Sequence, residues 1–394
     1  MRALVIGVGA AGNKAAIDLI ENGVISEEHI VLINSTIKDI PEQYRNIKTI
    51  EIEGPNGCGQ ERSLAKEIIL QSMKLNKIDP GTWISPEHGE KVIIIASLCG
   101  ATGSGMAPVI ARYYSQVINI PTEIIGLVGF EDESARALRN IMEFCQDLDE
   151  SFTVQFIRNS AFLKAAKQNR TKAEKLANLE VVKRVRIMLG NYMIDSEQNI
   201  DETDITKLNN RTGYKTVEYI EVDDKIKSME QYNEYLKEML DETKSFDPDG
   251  SKIGLLGVIM NLQSSSQEYI DRSYRLIREK LGEPYEVYTH IQYNDKENVP
   301  EFIAFIAAGM KMPEEQIKKI YSNYQELTES VNKKEDDFFN TVQTMQGNED
   351  DDQFDSFARG RFKRELNTDD QAAAERDKFF VGYERVNKKN PQSL

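Results

Sequence analysis

Residues 92–105, with the sequence VIIIASLCGATGSG, join an apolar run to a turn of small residues, and this combination could bind a phosphate. The β-branched run is typical of a strand buried in a parallel sheet. The apolar positions of residues 106–116 have helical spacing, so a glycine-rich turn leads into a helix. Such a turn directs backbone N–H groups at the positive end of a helix dipole, where phosphate binds. A tight turn without a ligand is the alternative.

Two further glycine-rich segments have the same predicted position between a strand and a helix. Residues 7–12 read GVGAAG, which is a GxGxxG pattern behind a short apolar strand. Residues 54–60 read GPNGCGQ and precede a helical stretch. One glycine-rich turn is enough to bind a pyrophosphate, and this sequence has three such loops. We therefore expect them to surround a triphosphate in one pocket. No GxxxxGK(S/T) sequence is present, which excludes the P-loop class.

The GxGxxG pattern taken alone also fits an NAD-dependent oxidoreductase. Dinucleotide-binding proteins carry an acidic residue about 20 positions further on, at the end of the next strand, where it binds a ribose hydroxyl. Here the next predicted strand ends in Asn34, Ser35 and Thr36 instead. The oxidoreductase stays open as an alternative, but its second determinant is missing.

Polar residues follow the later strands and helices and could contact a sugar, a base or an attacking water. Glu133 and Arg136 follow a strand, where they could bind ribose hydroxyls or simply begin a helix. Asn159 closes another strand, and its amide could bond a base edge or cap a turn. Asp201 and Asp204 form a spaced carboxylate pair before a short helix, which could orient a water or face solvent.

Composition limits the classes of function. The formal net charge of -16 argues against direct DNA binding by the whole surface, because the field repels phosphate. The three cysteines have no metal-ligand spacing, so we predict no metal site of that kind and a reducing cytosol. No apolar run approaches the ~20 residues that span a bilayer, and no signal peptide is recognisable. We therefore expect a cytoplasmic protein without a membrane segment.

The elements that must position these residues form two folded parts around one helix. Strand and helix patterns alternate over residues 1–170, which predicts a Rossmann-like α/β domain with a parallel sheet. Residues 171–192 have one long helical pattern, and Asn178 lies near its start. Residues 193–330 have the pattern of a smaller α+β domain. The chain of 394 residues is long enough for this organisation.

The last segment, residues 331–394, differs in composition from the rest of the chain. It loses apolar periodicity, and an acidic run around residues 350–352 precedes a basic patch. The basic patch consists of Arg359, Arg361, Lys363 and Arg364. We expect a mobile, flexible charged tail that either binds a partner or only aids solubility.

Taken together, the motifs resemble those of the tubulin/FtsZ superfamily. Residues 99–105 resemble the tubulin signature GGGTGSG with two glycines replaced, and residues 7–13 and 57–60 resemble the first and third phosphate loops. Residues 199–204 match the NxDxxD pattern of the synergy loop, which follows the long central helix in that superfamily. The relaxed signature and the acidic-then-basic tail are most similar to the plasmid- and phage-borne TubZ branch. An FtsZ-type cell-division GTPase is the alternative.

The resemblance implies a site for GTP or GDP with Mg²⁺, built from residues matched one by one. Those that would border the phosphates are Gly9, Ala10, Ala11, Lys14, Gln60, Gly100, Ala101, Thr102 and Gly103. Those that would hold the ribose and read guanine are Glu133, Arg136 (with Asp132 as an alternative register), Asn159 and Asn178. The aromatic residue that stacks on the base in the superfamily corresponds to Glu174.

The resemblance also implies a mechanism and partners. Asp201 and Asp204 would be the catalytic residues that position water, but a helix of ~20 residues, about 30 Å long, separates them from their own nucleotide. The two sites would meet only between subunits stacked head to tail, which produces filaments and makes hydrolysis depend on polymerisation. For a TubZ-like protein we expect segregation of plasmid or phage DNA through a TubR-like DNA-binding adaptor, contacted by the tail.

Overall fold

The computed structural model describes most of the first 345 residues. The described ranges are 2–36, 40–52, 58, 61–84, 90–190, 200–223, 225–226, 228–247, 252–262, 267–293 and 301–345. The chain divides into two compact units, Met1–Gln325 and Glu326–Leu394, and within the second unit only residues 326–345 are described.

The first unit is built on a ten-stranded sheet. Its strands are β1 (Ala3–Val8), β2 (Ile30–Asn34), β3 (Lys48–Glu51), β4 (Lys91–Ser97), β5 (Thr122–Val128), β6 (Thr153–Arg158), β7 (Gly213–Glu221), β8 (Ile253–Leu262), β9 (Pro284–Tyr293) and β10 (Phe302–Met310). They lie in the order β3-β2-β1-β4-β5-β6-β7-β10-β8-β9. Neighbours from β3 to β7 are parallel, β10 is antiparallel to both β7 and β8, and β8 is parallel to β9.

Helices connect most of these strands. They are α1 (Gly9–Glu21), α2 (Arg62–Lys74), α3 (Ala101–Arg112), α4 (Ala135–Gln146), α5 (Arg170–Met188), α6 (Glu202–Asn210), α7 (Met229–Asp241), α8 (Gln267–Leu281) and α9 (Glu314–Met345). A short 3-10 turn, Asn159–Phe162, follows β6. Among the described residues, no helix combines the length and the apolar character that crossing a membrane requires.

The central strands are buried on both faces. Every residue of β1 and all but the last residue of β4 are buried. Strands covered by helices on both faces read as continuous apolar runs rather than alternating ones, which is why this part of the sequence predicted a parallel sheet. The predicted α/β fold class with its parallel sheet is confirmed.

Two element boundaries differ from the sequence prediction. The apolar pattern of the sequence predicts a strand over residues 219–222. In the structure β7 begins earlier, at Gly213, because the buried charges of Lys215 and Glu218 obscure its apolar pattern. The last helix, α9, continues to Met345 and so enters the segment predicted as a tail. The acidic run and the basic patch of that segment lie outside the described residues. The predicted domain boundaries at 170, 192 and 330 stay predictions.

The parallel strands give the sheet two distinct sides, one at the carboxyl ends of the strands and one at their amino ends. β1, β4, β5 and β6 all end on one side, which we name the carboxyl edge, and all begin on the other, which we name the amino edge. In open parallel sheets, ligands bind outside the carboxyl ends of the strands. The helix α1 begins directly after β1, and α3 begins four residues after β4, so both start at the carboxyl edge.

Candidate functional site

Two helix N-termini meet at the carboxyl edge. The N-cap residues of these helices, Val8 of α1 and Gly100 of α3, form no side-chain hydrogen bond to the first N–H groups. Gly9 has a φ of 76°, and a Cβ built there would lie 3.4 Å from the N atom of Gly103 and 3.5 Å from the Cβ of Thr102. Glycine adopts this backbone conformation without strain. The two loops therefore contact each other and direct two positive dipole ends at one place, which suits a phosphate chain.

Glycines also set how closely these helices approach the sheet. A Cβ on Gly12 would lie 2.2 Å from the carbonyl oxygen of Ile95, and one on Gly103 would lie 2.3 Å from that of Ser97. The first turns of α1 and α3 thus rest directly on the backbone of β4. Ala101, which replaces a glycine of the tubulin signature, begins the regular helix α3, where a Cβ is tolerated.

The structure brings together most of the predicted phosphate residues. Gly9, Ala10 and Ala11 form the first turn of α1, while Lys14 follows them and is exposed. Gly100 precedes the first turn of α3, which Ala101, Thr102 and Gly103 begin. Thr102 and Gly103 lie next to the first loop, because both are close to Gly9.

The third predicted loop is described only in part. Gln60 and residues 53–57 lie outside the described residues. Cys58 is buried, and its Sγ lies 4.0 Å from the hydroxyl oxygen of Thr102. Burial raises the pKa of the Cys58 thiol. This contact places at least one residue of the third loop beside the signature loop.

The predicted ribose loop lies against the signature loop through Glu133. The Glu133 carboxylate accepts a hydrogen bond from the N–H of Phe130 at 3.1 Å. The N–H of Gly129 donates to the Sγ of Cys99 at 3.2 Å, and burial together with the charge of Glu133 raises the pKa of Cys99 to about 12. Arg136 lies in the first turn of α4 and is exposed.

Asp132, the alternative ribose residue, has a different surrounding. Its carboxylate is exposed and forms an ion pair with Arg170, the first residue of α5. The Arg170 guanidinium lies 4.8 Å from the centre of the Phe130 ring. An open cavity of ≈ 430 Å³ adjoins these residues and is lined in part by Asp132, Arg158 and Arg170. The carboxyl edge therefore has space beside the ribose loop.

The two predicted guanine readers differ in their present contacts. Asn159 begins the turn after β6, and its Oδ1 is buried without a hydrogen-bond partner in the described structure. Buried polar atoms are nearly always paired, so this oxygen fits a missing partner such as a base. Asn178 instead bonds the carboxylate of Asp18, whose pKa is raised mainly by burial.

Sequence reasoning missed two polar residues near this site. Asp18 has no motif that predicts its contact with Asn178, since the two residues meet only through the packing of α1 on α5. Asn13 is 3% exposed, and neither polar atom of its side chain has a hydrogen-bond partner in the described structure. A polar residue within the apolar first turns of α1 was the available signal for Asn13.

Asp201 and Asp204 lie at the start of α6. Asp201 caps this helix, because its Oδ1 accepts the N–H of Asp204 at 2.8 Å. Asp204 forms an ion pair of 3.1 Å with Lys207, and this bond raises the pKa of Lys207. Asp201 itself is exposed. The earlier part of the predicted synergy loop, including Asn199, lies outside the described residues.

The carboxylate pair and the phosphate loops are on opposite edges of the sheet. The carbonyl of Arg211, just after α6, accepts the hydroxyl of Thr153 at 3.0 Å, and Thr153 begins β6. Asn159 follows the other end of that strand. The 19 residues of α5 span about 28 Å between the two edges. The predicted catalytic residues are therefore not brought to the predicted phosphate residues of the same chain.

No group of three or more His, Cys, Asp or Glu side chains within the described ranges gathers as a metal site would require. A magnesium ion at the phosphate loops would take most of its ligands from phosphate oxygens and water, which is usual for this ion.

Comparison with known proteins gives one family match and several distant relatives. Residues 2–167 match the family model described as Tubulin/FtsZ family, GTPase domain. The chain is 25% identical over 203 residues to tubulin-like protein CetZ2 of Haloferax volcanii, which is 48% of this chain and 54% of that protein. It is 24% identical over 279 residues to cell division protein FtsZ 1 of Pyrococcus woesei, which is 69% of this chain and 74% of that protein.

A solved structure has the same fold. A crystal structure of a GTPyS-form protofilament of TubZ from Bacillus thuringiensis serovar israelensis superposes with a TM-score of 0.66 at 18% identity. The superposition covers 88% of this chain and 95% of the TubZ chain. By contrast, the chain spans about half the length of the first curated relatives that it matches. These matches confirm the predicted resemblance to the tubulin/FtsZ superfamily. They also confirm the tubulin/FtsZ-like fold, which is similar to that of TubZ.

Proposed function

On the premise that residues 2–167 are a GTPase domain of the Tubulin/FtsZ type, we propose that this protein hydrolyses GTP within filaments of its own subunits. One observation carries the proposal: two helix N-termini whose N-cap residues form no side-chain cap converge on the carboxyl edge, while Asp201 and Asp204 begin α6 at the amino edge. Each subunit then offers half of a catalytic site at each end.

GTP binding is supported by the chemistry of the carboxyl edge. The N–H groups at the starts of α1 and α3 would hold the phosphates, with Thr102 as an additional donor. Glu133 lies beside the signature loop, where a ribose would follow the phosphates. The unpaired Oδ1 of Asn159 would accept a hydrogen bond from guanine. Mg²⁺ bound to the phosphates would neutralise part of their charge.

Hydrolysis in the polymer is supported by the separation of the two half-sites. A head-to-tail contact that does not close on itself extends into a filament. In such a filament, α6 of one subunit would face the nucleotide of the next. Asp201 and Asp204 would then orient the attacking water, and positioning of this kind dominates phosphoryl transfer.

DNA segregation is the finer part of the proposal. The likeness to a TubZ structure and the acidic-then-basic tail support a protein of the TubZ type. We propose that its filaments move plasmid or phage DNA in a bacterial cytoplasm. A TubR-like adaptor bound to the DNA would link it to the filament, because the net charge of -16 disfavours direct DNA contact.

An FtsZ-type role in cell division is the second candidate. It is favoured by the match to cell division protein FtsZ 1 of Pyrococcus woesei, which covers 69% of this chain. The two candidates share nucleotide chemistry and polymerisation, so only the cargo separates them. Co-pelleting of filaments with adaptor-loaded DNA is expected for the TubZ role and not for the FtsZ role.

A pelleting assay with parallel measurement of phosphate release tests the proposal. The full chain is incubated with GTP, GDP, ATP or NAD at equal concentration, with Mg²⁺ present. We expect sedimentation and phosphate release with GTP only. Equal pelleting with ATP contradicts guanine recognition, and binding of NAD without binding of GTP supports the oxidoreductase alternative instead.

A further inference from the structure

The amino edge of the sheet contains a buried cluster of Lys91, Glu123 and Lys215, which we name the lysine–glutamate cluster. The side chains of its three members are at most 1% exposed. The Nζ atoms of Lys91 and Lys215 lie 2.6 Å and 2.7 Å from the same Oε2 of Glu123. The other carboxylate oxygen accepts the side-chain amide of Gln155. The members come from β4, β5 and β7, so three strands meet at one carboxylate.

With both lysines protonated, this cluster contains one more positive than negative charge. Burial by itself would raise the pKa of Glu123, but Lys215 and Lys91 lower it to about 2. Burial lowers the pKa of Lys215 to about 7. A single lysine suffices to neutralise the carboxylate, and each additional buried ion has a desolvation cost. In its charged form the second lysine therefore lowers the stability of the fold, unless contacts other than its pairing with Glu123 offset this cost.

Both lysines also hold the end of α6. The carbonyl oxygen of Asn209 accepts Lys215 Nζ at 3.2 Å and accepts Lys91 Nζ as well. The last carbonyls of a helix have no partner inside it and form its negative end, where cations bind favourably. The side chain of Asn209 donates to the carbonyl of Met188, the last residue of α5, at 2.6 Å. The C-terminus of α6 is thus fixed to the sheet and to α5.

The other end of α6 carries Asp201 and Asp204. A helix of nine residues is about 13 Å long, so a tilt of about 5° at the anchored end moves these carboxylates by about 1 Å. Displacements of that size at a reacting centre can lower turnover about 100-fold. We infer that Lys91 and Lys215 are positioning residues, which fix α6 so that its carboxylates face the nucleotide of a neighbouring subunit. The inference rests on the proposed function.

A second set of contacts keeps α6 folded when the cluster is changed. Leu208 of α6 packs on β8, where a Cβ on Gly257 would lie 2.6 Å from its Cδ1. Ile205 and Leu208 are both buried. The apolar face of α6 therefore holds the helix against the sheet without fixing its orientation, whereas the two lysines fix that orientation. Removing one lysine should change orientation more than stability.

The variant Lys215→Met tests this inference. It leaves the neutral pair of Lys91 and Glu123, keeps an unbranched side chain, and removes one donor to Asn209. We expect GTP affinity of the single subunit and GTP-dependent pelleting to stay within about twofold of the wild type. Phosphate release per pelleted subunit should fall roughly tenfold or more.

Thr216→Val is the matched control. Thr216 is the next residue of β7, is equally buried, and bonds the hydroxyl of Ser245 rather than α6. Side chains of successive strand residues point to opposite faces, so this variant loses a buried hydrogen bond on the other face of the same strand. We expect its melting temperature to fall while its phosphate release per pelleted subunit stays at the wild-type value.

The remaining outcomes separate this inference from the proposed function. Wild-type turnover in Lys215→Met, or an equal fall in the control, overturns the positioning role. If Lys215→Met does not fold, Lys91→Met repeats the test from the other lysine, and failure of both to fold shows that the cluster serves stability alone and also overturns it. If the wild-type protein neither binds GTP nor releases phosphate, the proposed function itself is wrong.

Discussion

Asp201 caps the helix that carries Asp204, since its carboxylate accepts the N–H of Asp204 at 2.8 Å. The first residue of the pair therefore fixes the backbone of the second. This relationship means that a simple deletion of the Asp201 side chain removes both a charge and a helix cap. Variants at this position must separate these two effects.

Asp201→Asn should separate the cap from the charge. Asparagine caps a helix as well as aspartate does, whereas alanine costs about 0.5–2 kcal/mol of stability. We expect both Asp201→Asn and Asp201→Ala to bind GTP and to form long-lived filaments with nearly abolished phosphate release. Only Asp201→Ala should lower the melting temperature. A variant that fails to bind GTP as a single subunit would place Asp201 in its own nucleotide pocket.

Gly103 and Gly100 form a matched pair for the signature loop. A Cβ on Gly103 would lie 2.3 Å from the carbonyl oxygen of Ser97, whereas one on Gly100 would meet no atom of the described residues within 4 Å. We expect Gly103→Ala to lower the free energy of unfolding by roughly 1–3 kcal/mol and to weaken GTP binding, because α3 must move away from β4. Gly100→Ala should leave stability almost unchanged. Urea unfolding and nucleotide titration of the single subunits provide the comparison, and equal effects in both variants contradict this packing.

Acid should weaken the protein in part through Glu123. Its pKa is about 2 when folded, against an ordinary value of 4.5, so it contributes stability above pH 4.5. That contribution, on the order of 3 kcal/mol, is lost as the pH falls from 4.5 towards 2. In Lys215→Met the carboxylate has one cation fewer, so its pKa is higher and this loss is smaller. Urea unfolding of both proteins between pH 5 and pH 3 measures the difference, and identical slopes would show that Lys215 does not lower the pKa of Glu123.

The tail should separate polymerisation from cargo binding. Because α9 continues to Met345, a chain ending there keeps the helix and lacks both the acidic run and the basic patch. We expect it to pellet with GTP and to release phosphate, but to lose co-pelleting with adaptor-loaded DNA. The control is a full chain in which serines replace the residues of the basic patch, and it should also lose co-pelleting with adaptor-loaded DNA. High salt should weaken co-pelleting of the wild type in the same way, since exposed charges are screened beyond ~10 Å at 0.1 M. Full recruitment by both chains would place the contact on the folded unit, and failure to assemble would make the tail structural.

The local sequence by itself determined the elements of the nucleotide site. Apolar runs followed by glycines predicted β1 with α1 and β4 with α3, because strands buried on both faces and loops of small residues have distinctive local patterns. The long helix α5 was predicted from the helical pattern of residues 171–192, and its end differs by a few residues. The resemblance to a known superfamily then named the residues of each loop.

Only the tertiary structure decided which of these residues meet, and it assembled charges that the sequence leaves far apart. Lys91, Glu123 and Lys215 are ordinary charged residues in the sequence, and Lys215 even concealed the start of β7. Parallel pairing of the sheet brings them to one point, where no solvent screens them. Burial and pairing depend on contacts between distant segments, which no local pattern encodes. The same holds for Asp18 with Asn178, and for the distance that places Asp201 at the opposite edge from Thr102.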